Sequence, residues 1–141
     1  MCNDYLKQTT DERLNDRGVD DALRANIQYY RSETRFLRAL MYYHAMDMFG
    51  NTPFITENDP IGTYLPPQRS RAELYSFIES ELLELSDDPH MTEPRQNEYG
   101  RADKAAVWML LSRLYLNAEV YIQTPKYDEC MKYARNVISA G

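Results

Sequence analysis

The sequence predicts an all-α domain made of helix–loop–helix pairs, and three observations carry that expectation. Apolar residues recur at three- and four-residue steps over most of the chain. Helix stop and start signals punctuate it at Gly50, at Ser70 and at Thr124-Pro125. Nowhere does a period-two alternation persist long enough to build a sheet.

Residues 1–10 are predicted as a short helix with Cys2, Tyr5 and Leu6 on one side, and the polar run from Asp11 to Gly18 reads as a connector. Residues 20–49 are predicted as one long helix whose buried stripe is Leu23, Ile27, Tyr30, Thr34, Leu37, Met41, Ala45 and Met48. No Pro or Gly interrupts it, while Gly50 supplies a left-handed stop with Pro53 shortly after. Residues 51–69 form a long loop holding Pro53, Pro60, Pro66 and Pro67, and loops of that length within a domain are often functional.

Ser70 and Glu73 make a capping box, in which the hydroxyl serves the third helical amide and the carboxylate reaches back to the cap. It opens a helix over 71–86 with Leu74, Ile78, Leu82 and Leu85 on one face. The run 87–100, with Pro89 and Pro94, is a second loop. A helix over 102–120 follows, apolar on more than one side through Val107, Trp108, Leu111, Leu114 and Tyr115, as suits a helix packed between neighbours. Thr124 as N-cap and Pro125 at the first helical position open the last helix, 125–140, with Tyr127, Cys130 or Met131, Ala134, and Val137 or Ile138 inward. Leu37 and Leu111 are thereby both expected in buried seams.

The totals restrict function. The 141 residues suffice for one domain, and 43% hydrophobic with 27% charged residues is the composition of a globular protein. A net charge of −6 with no basic stripe disfavours nucleic acid as a partner. No apolar run approaches the length of a transmembrane helix. Cys2 and Cys130 have no metal-ligand spacing; Cys130 reads as a buried free thiol, and no signal segment stands before Cys2. Twelve tyrosines suit crowded helix seams and equally suit stacking on sugars.

The second helix pair has the outline of a tetratricopeptide repeat, with Leu111, Ser112 and Tyr115 in the first helix and Cys130, Ala134 and Val137 in the second. Its inter-helix spacing is longer than the standard repeat. The order of motifs resembles the SusD/RagB family. The run Ser32-Glu33-Thr34-Arg35-Phe36-Leu37-Arg38-Ala39-Leu40 is similar to the family's "EARFLRA" segment, and Tyr42-Tyr43 and Met48-Phe49-Gly50-Asn51-Thr52-Pro53-Phe54 follow it. Next come Arg69-Ser70-Arg71-Ala72-Glu73-Leu74-Tyr75, then Tyr99-Gly100-Arg101-Ala102-Asp103-Lys104-Ala105-Ala106, then Leu110 to Leu116. Lys126-Tyr127 through Ala134, Val137, Ile138 and Gly141 complete the series, and Cys2-Asn3 looks like the Cys-Asn pair found upstream in many members. The chain departs in small ways, at Asp103 and Ala105.

The resemblance implies a non-catalytic scaffold piece, TPR-like and all-α, of a lipid-anchored nutrient-binding protein on the outer face of the outer membrane in Bacteroidetes. It implies a SusC-type TonB-dependent transporter as partner, a glycan or other nutrient as ligand, and no cofactor. Family members are much longer and begin with a lipoprotein signal, so residues 1–141 are expected to be a soluble helical fragment without signal or anchor. The family's ligand contacts come mostly from loops outside the helices, and no binding residue carries over.

From the residues alone, Tyr64 near Asn58, Asp59 and Gln68 is the candidate stacking ring, with a ring folded onto the helices as the plainer reading. Tyr29, Tyr30, Tyr42 and Tyr43 are expected in helix seams and Trp108 in the core. His44 and Asp47 lie one turn apart without further metal ligands, and His90 is distant. Glu79, Glu81 and Glu84 read as a solvated face. No nucleophile or phosphate-loop motif is present, so no catalytic or metal-binding residue is assigned. A free-standing TPR adaptor gripping a peptide is the alternative to the scaffold.

Overall fold

The structure, a computed structural model, describes residues 1–60, 62 and 65–141. It is all-α and TPR-like, with seven helices among the described residues. These are α1 (Cys2–Gln8), α2 (Asp11–Asp16), α3 (Asp21–Phe49), α4 (Arg71–Asp87), α5 (Lys104–Leu116), α6 (Ala118–Ile122) and α7 (Tyr127–Ser139). Helix α4 lies between α3 and α5, α7 packs on α5, and α1 lies against α3.

Side-chain caps explain most of the starts. Asp20 accepts from the Leu23 amide at 2.8 Å and Asp103 from the Ala106 amide at 3.1 Å. Ser70 and Glu73 form both halves of the capping box, and these hydrogen bonds, with Arg69, lower the Glu73 pKa to about 2. Gly50 ends α3 at φ +75°, where an L side chain is strained, and a Cβ there would stand 3.2 Å from the Arg71 guanidinium, which would have to give by a few tenths of an ångström. Thr52–Pro53 (β1) and Gln68–Arg69 (β2) pair antiparallel and close the neck of the proline-rich loop.

Several boundaries differ from the expectations. The connector at 11–18 is helical through Asp16, because Thr10 caps the Arg13 amide. The helix expected over 102–120 begins at Lys104, after its Asp103 cap, and breaks at Asn117. The Asn117 amide donates to the Arg113 carbonyl at 3.1 Å, a side-chain bond that competes with the backbone ladder. Lys126, rather than Thr124, stands at the cap of α7, and the Thr124 hydroxyl turns back to the Ile122 carbonyl.

The larger correction concerns α3. Its buried residues are Ser32, Phe36, Arg38, Ala39, Tyr43 and Met46. At 100° per residue, Phe36, Ala39, Tyr43 and Met46 lie nearly opposite the stripe expected to be buried. Most of that stripe faces outward, with Leu37 47% and Met41 56% exposed, while Ile27, Thr34 and Ala45 are half-buried. The same rotation exposes Tyr29 and Tyr30, whereas Tyr43 is buried and Tyr42 half-buried. Helix α3 therefore carries two apolar stripes, and α4 covers the shorter one with Leu74, Ile78, Leu82 and Leu85. Helix α5 adds Val107, Leu110, Leu111 and Leu114, and the Tyr115 and Tyr133 rings stack at 5.8 Å across α5 and α7. Trp108 is only partly buried against this core, as is the free thiol of Cys130. On α7, Tyr127, Met131 and Ile138 are exposed and Tyr133 is the buried residue.

Leu111 is fully buried, so Leu111→Ala should cost about 2–5 kcal/mol in urea denaturation. In this chain Leu37→Ala should cost about 0.5 kcal/mol or less, as surface changes usually do. Equal losses at the two sites would show that the outward stripe of α3 is covered.

Candidate functional site

A buried arginine–glutamate network stands beside a cleft that combines apolar walls with polar groups. From α3, Arg35 donates to Glu81 at 2.8 Å and to Glu84, while Arg38 donates to the other Glu81 oxygen at 2.8 Å. Arg38 also donates to Asn3 on α1 at 3.0 Å and to Glu57 in the proline-rich loop. Arg38 is 5% exposed and Glu81 9%, so neither charge is solvated as a surface charge would be. Burial works against ionisation of Glu81, but the hydrogen bonds and charges of Arg35 and Arg38 outweigh it and hold its pKa below the usual value. Burial likewise opposes the charge on Arg38, and Glu81 and Glu57 outweigh it, so its pKa is raised. The expectation of a solvated acidic face on α4 holds for the exposed Glu84 but fails for Glu81, which is buried, and Glu79 is paired with Lys126 at 2.6 Å.

Around this network the loop is tied to α1 and α3 by uncharged contacts. The Tyr42 hydroxyl donates to the Ile55 carbonyl at 2.7 Å and accepts from the Ile55 amide at 3.0 Å. Asn3 donates to the same carbonyl at 2.9 Å. Asp59 accepts from the Thr56 amide at 2.7 Å, which closes a turn. The result is a cleft of about 360 Å³ between α1 and the loop, with Ile55, Pro60 and Pro66 as apolar wall and Asp4, Lys7 and Asp59 as polar rim. That volume lies at the lower end of small-ligand sites. Tyr64, the candidate ring from sequence, lies outside the described residues.

The cleft has the chemistry of binding. Two of its three carboxylates are engaged, Glu57 by Arg38 and Asp59 by Thr56. General-acid chemistry calls for a carboxyl raised in pKa. The acidic side chains with a resolved shift, Glu73, Glu81 and Asp88, are all lowered, and none of the three lines the cleft. His44 and Asp47 are not joined: His44 is exposed beside the Tyr43 ring, and Asp47 accepts from the Tyr121 hydroxyl at 2.6 Å. Among the described residues no cluster of three or more metal-ligating side chains forms.

Sequence reasoning missed a second cluster, Ser32, Asp88 and His90, because its members are far apart in the chain. The Ser32 hydroxyl donates to Asp88 at 2.6 Å, and the His90 amide and ring both face the other Asp88 oxygen. Nucleophilic catalysis would need the hydroxyl on the imidazole instead. As built, the cluster fastens the 88–91 turn to α3. The Trp108 ring borders a wide, open hollow with Glu93, Gln96 and Asn136, but its N–H is already spent on the Ser86 hydroxyl at 2.9 Å.

The lowered Glu81 and Asp88 make stability pH-dependent. Both bind fewer protons folded than unfolded, so their contribution is present above their ordinary values of 4.5 and 3.8 and is lost as pH falls through the lowered ones. Urea midpoints should fall as pH drops below about 4.5, and Glu81→Gln should make that fall shallower. Glu81→Ala should cost about 3–5 kcal/mol at pH 7 by stranding Arg38. Identical pH slopes in the variant and the parent would remove Glu81 from this role.

Comparison with known proteins follows the same geometry. No family model matches the chain. The starch-binding protein SusD of Bacteroides thetaiotaomicron is 46% identical over 111 residues, which are 79% of this chain and 19% of SusD. Surface glycan-binding protein A of Bacteroides uniformis superposes with a TM-score of 0.71 at 26% identity, over 97% of this chain and 28% of that one. A SusD homologue of Bacteroides thetaiotaomicron gives a TM-score of 0.70 at 25% identity, over 99% and 27%. The chain therefore spans about a fifth of SusD and about a quarter of these solved structures. No helix among the described residues is long and apolar enough to cross a membrane.

Proposed function

Since the chain is a SusD homologue across most of its length, we propose that it is a helical scaffold region of a SusD-like surface protein that binds a glycan or another nutrient. The observation that carries this reading is the 46% identity to a starch-binding protein, and the superposition on a surface glycan-binding protein supports it. In the full-length protein the partner is a SusC-type TonB-dependent transporter, and the setting is the outward face of the outer membrane, reached through a lipid anchor. Residues 1–141 act as one helical domain of that longer protein, without catalysis. They supply a stiff frame, in which the Arg35–Arg38–Glu81 network holds the proline-rich loop at a fixed height above α3.

Sugar recognition needs rings and hydrogen-bonding side chains side by side, with no activated acid or nucleophile. The cleft between α1 and the loop has the hydrogen-bonding half of that requirement in Lys7, Asp4 and Asp59. We put Tyr64 of the proline-rich loop forward as the stacking ring. In the full-length protein Tyr64→Ala should then weaken oligosaccharide binding severalfold in calorimetry while leaving the melting temperature in place. Unchanged affinity would remove Tyr64 from the site and leave the loop as framework.

The uptake role is tested by gentle detergent purification of the tagged full-length protein from its native membrane. Recovery with a large β-barrel transporter is the expected result. Recovery from the soluble fraction with no barrel would sink it and favour a peptide-gripping adaptor.

A further inference from the structure

The hollow beside Trp108 lies between the loop that joins α4 to α5, α5 itself and the last turn of α7. Glu93, Pro94 and Gln96 line it from the loop, Trp108 from α5, and Asn136 and Ser139 from α7. Its volume is about 540 Å³, larger than the cleft beside α1 and within the range of small-ligand sites.

The indole is fixed in place before any ligand arrives. Its N–H donates to the Ser86 hydroxyl at 2.9 Å, which ties the ring from α5 to α4. Stacking uses the carbon surface of a ring, so that bond consumes nothing a stacked ligand needs. Around the ring, hydrogen-bonding capacity is in surplus. The side chains of Gln96, Asn136 and Ser139 make no hydrogen bond among the described residues, and the Gln96 amide N–H of the backbone is satisfied separately by the Glu93 carbonyl. Glu93 is the carboxylate of the lining, and Lys104 neutralises it at 2.5 Å. The free groups are therefore amides and a hydroxyl, which donate and accept as sugar hydroxyls do. On the loop side the backbone is strained. Arg95 stands at φ +65°, held by the bond of its amide to Asp103 at 3.0 Å, and its neighbours Pro94 and Gln96 both line the hollow. Strain of this kind collects at ligand sites, where the surrounding structure holds it.

We propose that this hollow is a second saccharide site, in which the C–H face of a neutral glucopyranose unit stacks on Trp108 while Gln96, Asn136 and Ser139 bind its hydroxyls. Glucose suits it because its ring hydroxyls are all equatorial and leave the C–H faces clear. The inference rests on the glycan-binding reading above and adds a site apart from Tyr64 and the cleft beside α1.

The test uses the full-length protein labelled with fluorotryptophan, its fluorine spectrum followed as maltoheptaose is added. The Trp108 signal is the one missing from Trp108→Phe. Should that variant not fold, it is the one displaced in Ser86→Ala, which removes the partner of the indole N–H. That signal should shift and saturate. Asn136→Ala should raise the half-saturation concentration roughly threefold or more, the size of one lost hydrogen bond. Gln96→Ala, a change at an exposed side chain, should act in the same direction, while Tyr64→Ala should leave this midpoint where it is. A Trp108 signal that stays fixed while others move would overturn the proposal and leave glycan binding elsewhere intact. So would a shift that never saturates, or a midpoint that neither Asn136→Ala nor Gln96→Ala changes. No response at any signal would overturn it as well, and calorimetric binding of a different glycan would then keep the broader reading.

Discussion

Glu81 is the constraint on which the rest of this structure depends. A carboxylate with 9% exposure on the inward side of α4 is costly unless cations reach it, and two arginines one turn apart on α3 do so. Their spacing fixes the axial register of α3 against α4, because Arg35 spans both oxygens of the Glu81 carboxylate and Arg38 donates to one of them. Nη1 of Arg38 then draws Asn3 from α1 and Glu57 from the loop into the same cluster. One buried anion thus organises four separate stretches of chain. Aliphatic packing by Leu74, Ile78, Leu82 and Leu85 supplies cohesion but no comparable specificity of register.

The same internal use of charge shapes the surface. Arginines that would ordinarily solvate α3 are directed sideways into the domain, which leaves its outer stripe apolar and its loop held close. A frame of this kind holds the proline-rich loop stiffly, while Glu81 and Asp88 are held below their ordinary pKa values. The polar cleft beside α1 and the apolar stripe on α3 are two products of one arrangement of charge.

Much of the fold was legible because it is local. The capping box at Ser70, the stop at Gly50 and the face of α4 all rest on residues within one or two turns of one another. The end of α5 was misjudged because Asn117 acts through a side-chain bond that propensity does not reveal. Glu81 was misread as solvated because its partners are 43 and 46 residues away. The Ser32–Asp88–His90 cluster was invisible for the same reason, its hydroxyl and carboxylate being 56 residues apart.

The sequence by itself determined the all-α class, the order of helices and loops, and, through its series of motifs, the resemblance to SusD-like proteins. These depend on hydrogen bonds and periodicities that close within a few residues. Only the tertiary structure decided which of the two apolar stripes of α3 is buried. Periodicity marks both equally, and the choice belongs to the long-range pairing of Arg35 and Arg38 with Glu81, which turns Phe36, Ala39, Tyr43 and Met46 toward α4. A helix can report that it has a face to bury, and the partner's charges determine which face that is.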